Sequence, residues 1–248
     1  MISIITATFN SENELLHTYN SIRNQTFVNW EWLITDDCSS DNTRELLESI
    51  ATSDNKVTVL KNTENSGAAV SRNLSISLAR GDFIAFIDSD DLWLPSKLEK
   101  QIKFMEENDI NFSFTAYELI DEKGEKLGQQ VDTHLKSFVT YDDMLKKKAT
   151  LGCSTVMLKR SAFEDISMPL LRTGQDYATW LKLLKVGHNA HPITEILTQY
   201  RILPNSISRN KVKKARRQWQ IYREIEKLPL LKAVECFFLY AWRAVFRK

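Results

Sequence analysis

The sequence predicts an α/β protein in which a mostly parallel central sheet is flanked by helices, followed by a helical C-terminal extension. Two observations support this fold class. Short apolar, β-prone runs alternate with helical segments, and the links between them are short. Polar and acidic residues follow the ends of three of these runs, and in a parallel sheet such ends meet at one edge.

The first half of the chain alternates strand and helix in strict order. Asn10 and Ser11 are expected to cap the first helix, and Ser40 or Asp41 the second. Gly81 precedes the last strand of this half as a turn residue. The strands are predicted at 2–9, 30–35, 56–60 and 82–87, and the helices at 12–24, about 41–51, 68–79 and 95–108.

The second half is less regular. A hairpin turn is predicted at 122–125, and an amphipathic helix opens at Gly174. Residues 126–150 are polar and receive no assignment. Strands are predicted at 111–117, 154–158 and 193–202, and a basic helix followed by an amphipathic one at 209–248.

Three carboxylates lie within Asp88-Ser89-Asp90-Asp91, directly after a run that reads as a buried strand. Like charges this close repel one another, and a hard divalent cation bound through oxygen would relieve the repulsion. The alternative is a solvated acidic turn before the next helix. A second acidic pair, Asp36-Asp37, follows another strand, and Thr8-Phe9-Asn10 follows a third. These three strand ends predict one crevice and favour a metal site there.

Two further residues near this crevice are candidates for binding a ligand. Asp37 could accept hydrogen bonds from a nucleobase edge or a ribose, although an acidic turn before a helix is the plain alternative. Arg72 lies about one turn into the helix that follows Gly67, where it could neutralise a diphosphate or simply be solvated. The chain has no glycine pattern of the common dinucleotide or P-loop type.

Asp176 and Trp93 each allow two interpretations. Asp176 stands at a helix start after Gly174, so it is either a general base or a capping carboxylate, and spacing alone favours the cap. Trp93 could stack on a sugar ring, but lone aromatic residues on helices more often pack in a core.

The charge distribution sets the end of the chain apart. From residue 209 to 248 there are 12 basic and 3 acidic residues, whereas the whole chain has a formal charge of +1. This basic segment suggests an anionic partner, either a membrane surface or nucleic acid. A helix packed on the body is the alternative, and the membrane is favoured because cationic and aromatic residues cluster at the end: Trp242, Arg243, Arg247 and Lys248.

Other bulk features limit the cellular location. The three cysteines lie far apart in no metal-binding pattern, which suits a reducing cytosol. No stretch of 18 apolar residues is free of charge, so no membrane span is expected. We therefore expect a cytoplasmic protein that associates peripherally with the inner face of the membrane.

Five segments together resemble the family 2 glycosyltransferases of the GT-A fold, over residues 1 to about 205. The opening strand from Ser3 to Asn10 is similar to theirs, with Ala7 where proline is common. The other matches are Ile34–Asp41, with Cys38 in place of glycine; Asn65-x-Gly67 with Arg72-Asn73; Asp88-Ser89-Asp90-Asp91 with Trp93 and Pro95; and Gly174-Gln175-Asp176, with Gln175 in place of glutamate.

The resemblance implies inverting transfer of a sugar from a nucleotide-diphospho-sugar, such as a UDP-sugar, to a glycan or lipid-linked acceptor. It implies that Asp88 and Asp90 hold Mn²⁺ or Mg²⁺ and that Asp176 deprotonates the acceptor hydroxyl. The residues implied to bind the nucleotide-sugar are Thr8, Asn10, Asp37, Asn65, Arg72, Asp88, Ser89, Asp91 and Trp93.

The same resemblance divides the chain and leaves two alternatives. Residues 1–95 would form the nucleotide-binding half of the transferase domain, 96–205 the acceptor half, and 206–248 the basic amphipathic helices. No nucleic acid partner is expected. The alternatives are a metal-dependent nucleotidyltransferase or phosphotransferase and a non-catalytic nucleotide-sugar-binding protein.

Overall fold

A computed structural model describes residues 1–203 and 211–246, and its first half confirms the predicted alternation of strands and helices. The strands are β1 (Ile2–Thr8), β2 (Trp30–Asp36), β3 (Val57–Lys61) and β4 (Phe83–Phe86), and the helices are α1 (Leu15–Arg23), α2 (Thr43–Ser53) and α3 (Ala68–Leu78). The four strands are parallel in the order β3-β2-β1-β4. Thr8 pairs with Asp36 in this register, so the predicted polar strand ends do meet at one edge of the sheet.

The first helix starts later than its polar residues predict. The residue before α1 is Glu14, whose side chain makes no capping hydrogen bond. Asn10 and Ser11 are used elsewhere. The side chain of Asn10 accepts a hydrogen bond from the Ser40 backbone at 2.8 Å, and the Ser11 backbone donates to the Thr43 hydroxyl at 2.8 Å. Contacts with Ser40 and with the start of α2 thus take the place of the expected caps, and α2 itself begins after Asn42 rather than after Ser40 or Asp41.

The second half makes the sheet mixed. Its strands are β5 (Leu92–Trp93), β6 (Phe112–Ile120), β7 (Lys126–Val131), β8 (Val156–Lys159) and β9 (His191–Arg201), and its helices are α4 (Lys97–Glu107), α5 (Tyr141–Leu145) and α6 (Gln175–Lys185). β8 lies antiparallel between β4 and β6, and β9 runs parallel to β6 and carries β5 on its other edge. The predicted turn at 122–125 is confirmed and joins β6 to β7.

A hydrophobic core covers each face of the sheet. Successive residues of a strand point to opposite faces, so Ile4 packs with Trp32 in one core and Ile5 packs with Phe86 in the other. The second core extends to Trp180 of α6, whose ring meets that of Phe86 edge to face. These large buried side chains fix the strand ends on which the polar residues stand.

The C-terminal helices pack on this second core. They comprise α7 (Lys211–Gln220), a π-helical turn (Ile221–Ile225) and α8 (Leu230–Phe246). Tyr222 and Cys236 are fully buried there. The predicted domain boundary at 205/206 and the basic residues Arg209, Arg247 and Lys248 lie outside the described residues. Of the helices described, none is both long enough and apolar enough to cross a bilayer.

A buried lysine lies beneath the acidic segment. Lys97 is fully buried at the start of α4, and its Nζ atom lies 3.9 Å from the centre of the Trp93 ring. Within the described residues its Nζ atom has no hydrogen-bond partner. Burial therefore lowers the pKa of Lys97 well below its usual value, because desolvation penalises the charged form.

We predict that Lys97→Met stabilises the protein at pH 7, by about 1–3 kcal/mol of unfolding free energy. Because its pKa is lowered, Lys97 binds a proton less tightly in the folded chain than in the unfolded chain, so the wild type gains stability as pH rises toward the unfolded pKa. The advantage of the variant should therefore shrink toward pH 10. Thermal unfolding across this pH range measures it, with Lys103→Met as the matched control on an exposed position of α4. A destabilised Lys97→Met variant would show that the contact with Trp93 outweighs desolvation.

Candidate active site

Three carboxylates converge just after β4. Asp88, Asp90 and Asp91 offer carboxylate oxygens that lie within 4.8 Å of one another. Burial, followed by the negative charge of Asp88, raises the pKa of Asp90 to about 7. Burial also raises the pKa of Asp91 well above its usual value, with the charges of Asp90 and Asp88 as further causes. The repulsion expected from the sequence is therefore present in the fold.

Two of the three carboxylates are held in place by the rest of the chain. Asp91 accepts hydrogen bonds from the backbone of Arg201 at 2.8 Å and from the Ser154 hydroxyl. Asp88 pairs with the buried guanidinium of Arg72, and its backbone N–H donates to the Ser154 hydroxyl at 3.0 Å. Ser154 and Arg201 were not predicted, and they approach this loop only because β8 and β9 enter the sheet nearby.

Asp90 is the carboxylate that remains available. Within the described part of the chain, no side chain donates a hydrogen bond to it, whereas Asp91 is occupied on both oxygens. A donor set made of carboxylate oxygens is what Mg²⁺ and Mn²⁺ prefer. The residues present thus fit a divalent cation held by Asp88 and Asp90, and Asp91 instead fixes the loop that carries them.

Asp176 lies near this cluster on a different element of the fold. It stands in the first turn of α6, behind Gly174 in the left-handed conformation at φ 71°. Burial is the main cause that raises the pKa of Asp176, the charge of Asp88 raises it further, and the charge of Arg72 opposes both. These effects place Asp176 within electrostatic range of the acidic cluster.

The C-terminal helices contact the segment Thr173–Gly174, which directly precedes α6 and Asp176. A Cβ atom on Gly174 would lie 3.2 Å from Ile221 and 3.5 Å from Arg217. Arg217 also donates to the Thr173 hydroxyl at 3.2 Å. The end of the chain therefore positions the loop beside the crevice, a role that the sequence pattern did not indicate.

Asp37 organises the loop at the other end of the crevice. Its two carboxylate oxygens accept hydrogen bonds from the Asn62 side chain at 2.7 Å and from the backbone of Ser66 and Gly67, both at 2.8 Å. Asn65 donates to the Asp37 carbonyl at 3.3 Å and accepts from Arg172 at 2.6 Å. Arg172 was not predicted, and its position two residues before Gly174 was the only local signal.

The other predicted site residues differ in how exposed they are and in their hydrogen bonds. Thr8 is buried at the end of β1 with its hydroxyl unpaired among the described residues, and Asn10 is exposed on the rim. Ser89 is buried and shares a hydrogen bond with the Ser11 hydroxyl at 2.9 Å. Trp93 is 3% exposed and donates to the Ser154 carbonyl at 2.7 Å, so its position favours core packing over stacking on a sugar.

Comparison with known proteins identifies the family. The model of "Glycosyl transferase family 2" matches residues 3–167. The chain belongs to glycosyl transferase family 2. It is 45% identical over 245 residues to TuaG of Bacillus subtilis (strain 168), a protein named for teichuronic acid biosynthesis, covering 99% of this chain and 96% of TuaG. It is also 37% identical over 233 residues to the Escherichia coli protein "UDP-Glc:alpha-D-GlcNAc-diphosphoundecaprenol beta-1,3-glucosyltransferase WfgD", covering 94% of this chain and 89% of that protein.

Solved structures share the fold of this family 2 chain. S. aureus TarS in complex with UDP-GlcNAc matches with a TM-score of 0.77 at 20% identity, over 99% of this chain and 73% of TarS. The Pyrobaculum calidifontis mannosyltransferase PcManGT in complex with GDP-Man and Mn²⁺ matches with a TM-score of 0.72 at 16% identity, over 99% of this chain and 70% of that one. The fold is GT-A, as the resemblance implied.

Family membership decides between the broad alternatives. The chain is a glycosyltransferase, since family 2 relatives match along its full length. This sets aside both the nucleotidyltransferase or phosphotransferase and the non-catalytic binder.

Proposed function

We propose that this glycosyltransferase moves a sugar from a UDP-sugar to a hydroxyl of a lipid-linked saccharide, with inversion at the anomeric carbon. Residues 1–95 bind the nucleotide, residues 96–205 form the acceptor side, and 206–248 form an appended helical unit. The observation that carries the proposal is the meeting of an acidic cluster and a buried arginine at one edge of the sheet, with the partly buried Asp176 of α6 within electrostatic range of both.

The donor side of the proposal rests on charge. A nucleoside diphosphate is a dense anion, and the Asp88–Asp90 pair would repel it unless a cation lay between them. A divalent metal held by Asp88 and Asp90 would neutralise the leaving diphosphate. The PcManGT complex contains GDP-Man and Mn²⁺ in the same fold, which supports this assignment. Arg72 holds Asp88 in place and adds positive charge on the same side.

The nucleotide itself is assigned to the rim of the sheet. Thr8, Asn10, Asp37 and Asn65 line the ends of β1 and β2 and the loop after β3. The backbone bonds to Asp37 fix the shape of that loop, so the contacts to a base or ribose come from a rigid edge. Ser89, Asp91 and Trp93 support the acidic loop from beneath.

The acceptor side of the proposal rests on Asp176. A carboxylate near neutral pH can take the proton of an attacking hydroxyl when the pKa of the carboxylic acid is raised by burial. Attack from the face opposite the diphosphate, with a single base, inverts the anomeric configuration. WfgD is named for transfer to a diphosphoundecaprenol-linked sugar, which supports a lipid-linked acceptor and thus a site of action at a membrane surface.

Donor and acceptor panels test this function. We expect release of nucleotide from one UDP-sugar, only in the presence of Mn²⁺ or Mg²⁺ and a polyprenyl-diphosphate-linked saccharide, and a product of inverted anomeric configuration by NMR. EDTA should abolish the release, and excess Mn²⁺ should restore it. Turnover in the presence of EDTA would refute the requirement for a divalent metal. A product of retained configuration would refute the single-base mechanism.

A further inference from the structure

Helix α8 presents two different faces. Its inner face packs on the body through Ala233 and Cys236, both fully buried. On the same side the Tyr240 ring meets the Tyr177 ring of α6 at 6.4 Å. The packing alternative of the sequence analysis is therefore true of this face of the helix, and it leaves the opposite face to be explained.

The opposite face is exposed and mostly apolar, and its one acidic residue among those described, Glu235, pairs with Lys146 at 3.3 Å. Leu231 is 85% exposed, Val234 51%, Phe238 65% and Trp242 54%. Their spacing of three, four and four residues forms one line along the helix, which we call the outer stripe. The stripe extends over about 16 Å at 1.5 Å per residue. The Phe238 and Trp242 rings stack with centroids 6.4 Å apart, so the stripe ends in a broad aromatic surface.

The charge next to the outer stripe indicates its occupant. α7 lies against α8 through Trp219 and Phe237, whose rings are 5.5 Å apart. Its ten residues include five cations and no acidic residue. The Lys227 side chain is exposed shortly before α8 begins. An apolar stripe with aromatic rings and adjacent cations fits a bilayer surface that carries anionic headgroups.

We infer that the outer stripe and the cations of α7 dock the enzyme on an anionic lipid bilayer. A second copy of this chain is less suitable, because a two-fold contact through the stripe would bring the two basic α7 helices toward each other. Anionic headgroups instead neutralise these charges while the Leu, Phe and Trp side chains enter the interface.

Docking through α8 would also orient the acceptor side of the crevice. The Tyr240 ring lies 6.4 Å from the ring of Tyr177, which directly follows Asp176 in α6, so α8 lies close to the proposed base. Contact of the outer stripe with the bilayer thus leaves Asp176 about one helix diameter, roughly 10 Å, from the headgroup layer. This orienting role rests on the proposed function, since it presumes that the acceptor is held in the membrane.

Vesicle binding by the full chain tests the inference. We expect the protein to co-sediment with vesicles of phosphatidylglycerol and phosphatidylcholine in equal amounts, and less so as salt rises. Combined Leu231→Ser, Phe238→Ser and Trp242→Ser changes should weaken this binding by at least roughly tenfold. Combined Lys214→Glu and Arg216→Glu changes should weaken binding to these vesicles but not to pure phosphatidylcholine.

The controls separate docking from general hydrophobicity and from catalysis. Val28→Ser and Val186→Ser replace side chains that are 67% and 71% exposed elsewhere and should leave vesicle binding unchanged. The inference is overturned if the triple variant binds the vesicles as well as the wild type does. It is also overturned if the wild type does not bind them at low salt. If the wild type forms a concentration-dependent dimer that the triple variant does not form, and does not bind vesicles, the outer stripe is a contact with a second copy and the inference is overturned. Intact vesicle binding without any sugar transfer refutes the proposed function alone.

Discussion

Asp90→Asn is expected to abolish sugar transfer and to remove the metal dependence of donor binding. The reason is that Asp90 is the carboxylate of the cluster that other side chains leave available, while Asp91 is bonded to Ser154 and Arg201. The amide keeps the size of the side chain but lacks its charge, so the cation loses one of its two proposed carboxylate ligands. We expect a loss of at least roughly 10³ in rate, because metal stabilisation of a leaving diphosphate contributes several kcal/mol.

The stability of Asp90→Asn supplies a readout that does not depend on activity. In EDTA the variant should unfold at no lower temperature than the wild type, because it removes one of three neighbouring carboxylates that repel one another, of which Asp91 is buried and the other two are partly buried. Added Mn²⁺ should raise the unfolding temperature of the wild type and leave that of the variant unchanged. Asp109→Asn, at an exposed position away from the crevice, is the matched control. Metal-dependent stabilisation of the variant would place the cation elsewhere.

The sequence was sufficient for the parallel half of the sheet because its signals are local. Each strand there is an apolar run that ends in polar residues, and parallel strands bring such ends together. This is why Asp37, Arg72 and the segment from Asp88 to Asp91 could be placed at one crevice before the structure was known.

The residues that hold the crevice in shape were missed because their contacts are distant in sequence. Ser154 reaches Asp91 across 63 residues and Arg201 across 110, and both contacts depend on β8 entering antiparallel beside β4 and on β9 pairing with β6. The strand that contains Trp93 is two residues long, which is too short to show an alternating pattern. Among the described strands it pairs with β9. Neither the spacing of apolar residues nor the position of turn residues indicates which distant strands will pair.

The packing of the C-terminal helices on the segment before Asp176 could not be predicted, for a similar reason. The amphipathic pattern of 230–246 predicts a helix with one apolar face, but both faces of α8 carry apolar residues and only one is covered. Periodicity identifies the helix and not its neighbour. The contact of Ile221 with Gly174 therefore came only from the fold.

Asp176→Asn is expected to slow sugar transfer by roughly 10²–10⁴, the range typical of losing a general base. The amide keeps the size of the side chain and part of its hydrogen bonding but cannot take a proton at neutral pH. Donor affinity should stay within a few-fold of the wild type, because the nucleotide and the metal are assigned to the other side of the crevice. Donor titration by calorimetry beside initial transfer rates separates the two effects.

The pH profile distinguishes a base from a helix cap. Burial raises the pKa of Asp176, so wild-type transfer should fall on the acid side at a pH above the usual range of an aspartate. The Asp176→Asn variant should lack this limb, whereas Asp165→Asn, at an exposed position in the loop before α6, should retain it with a near-normal rate. A variant that transfers sugar at the wild-type rate would make Asp176 a helix cap, and one that also loses donor binding would make it a structural residue of the whole crevice.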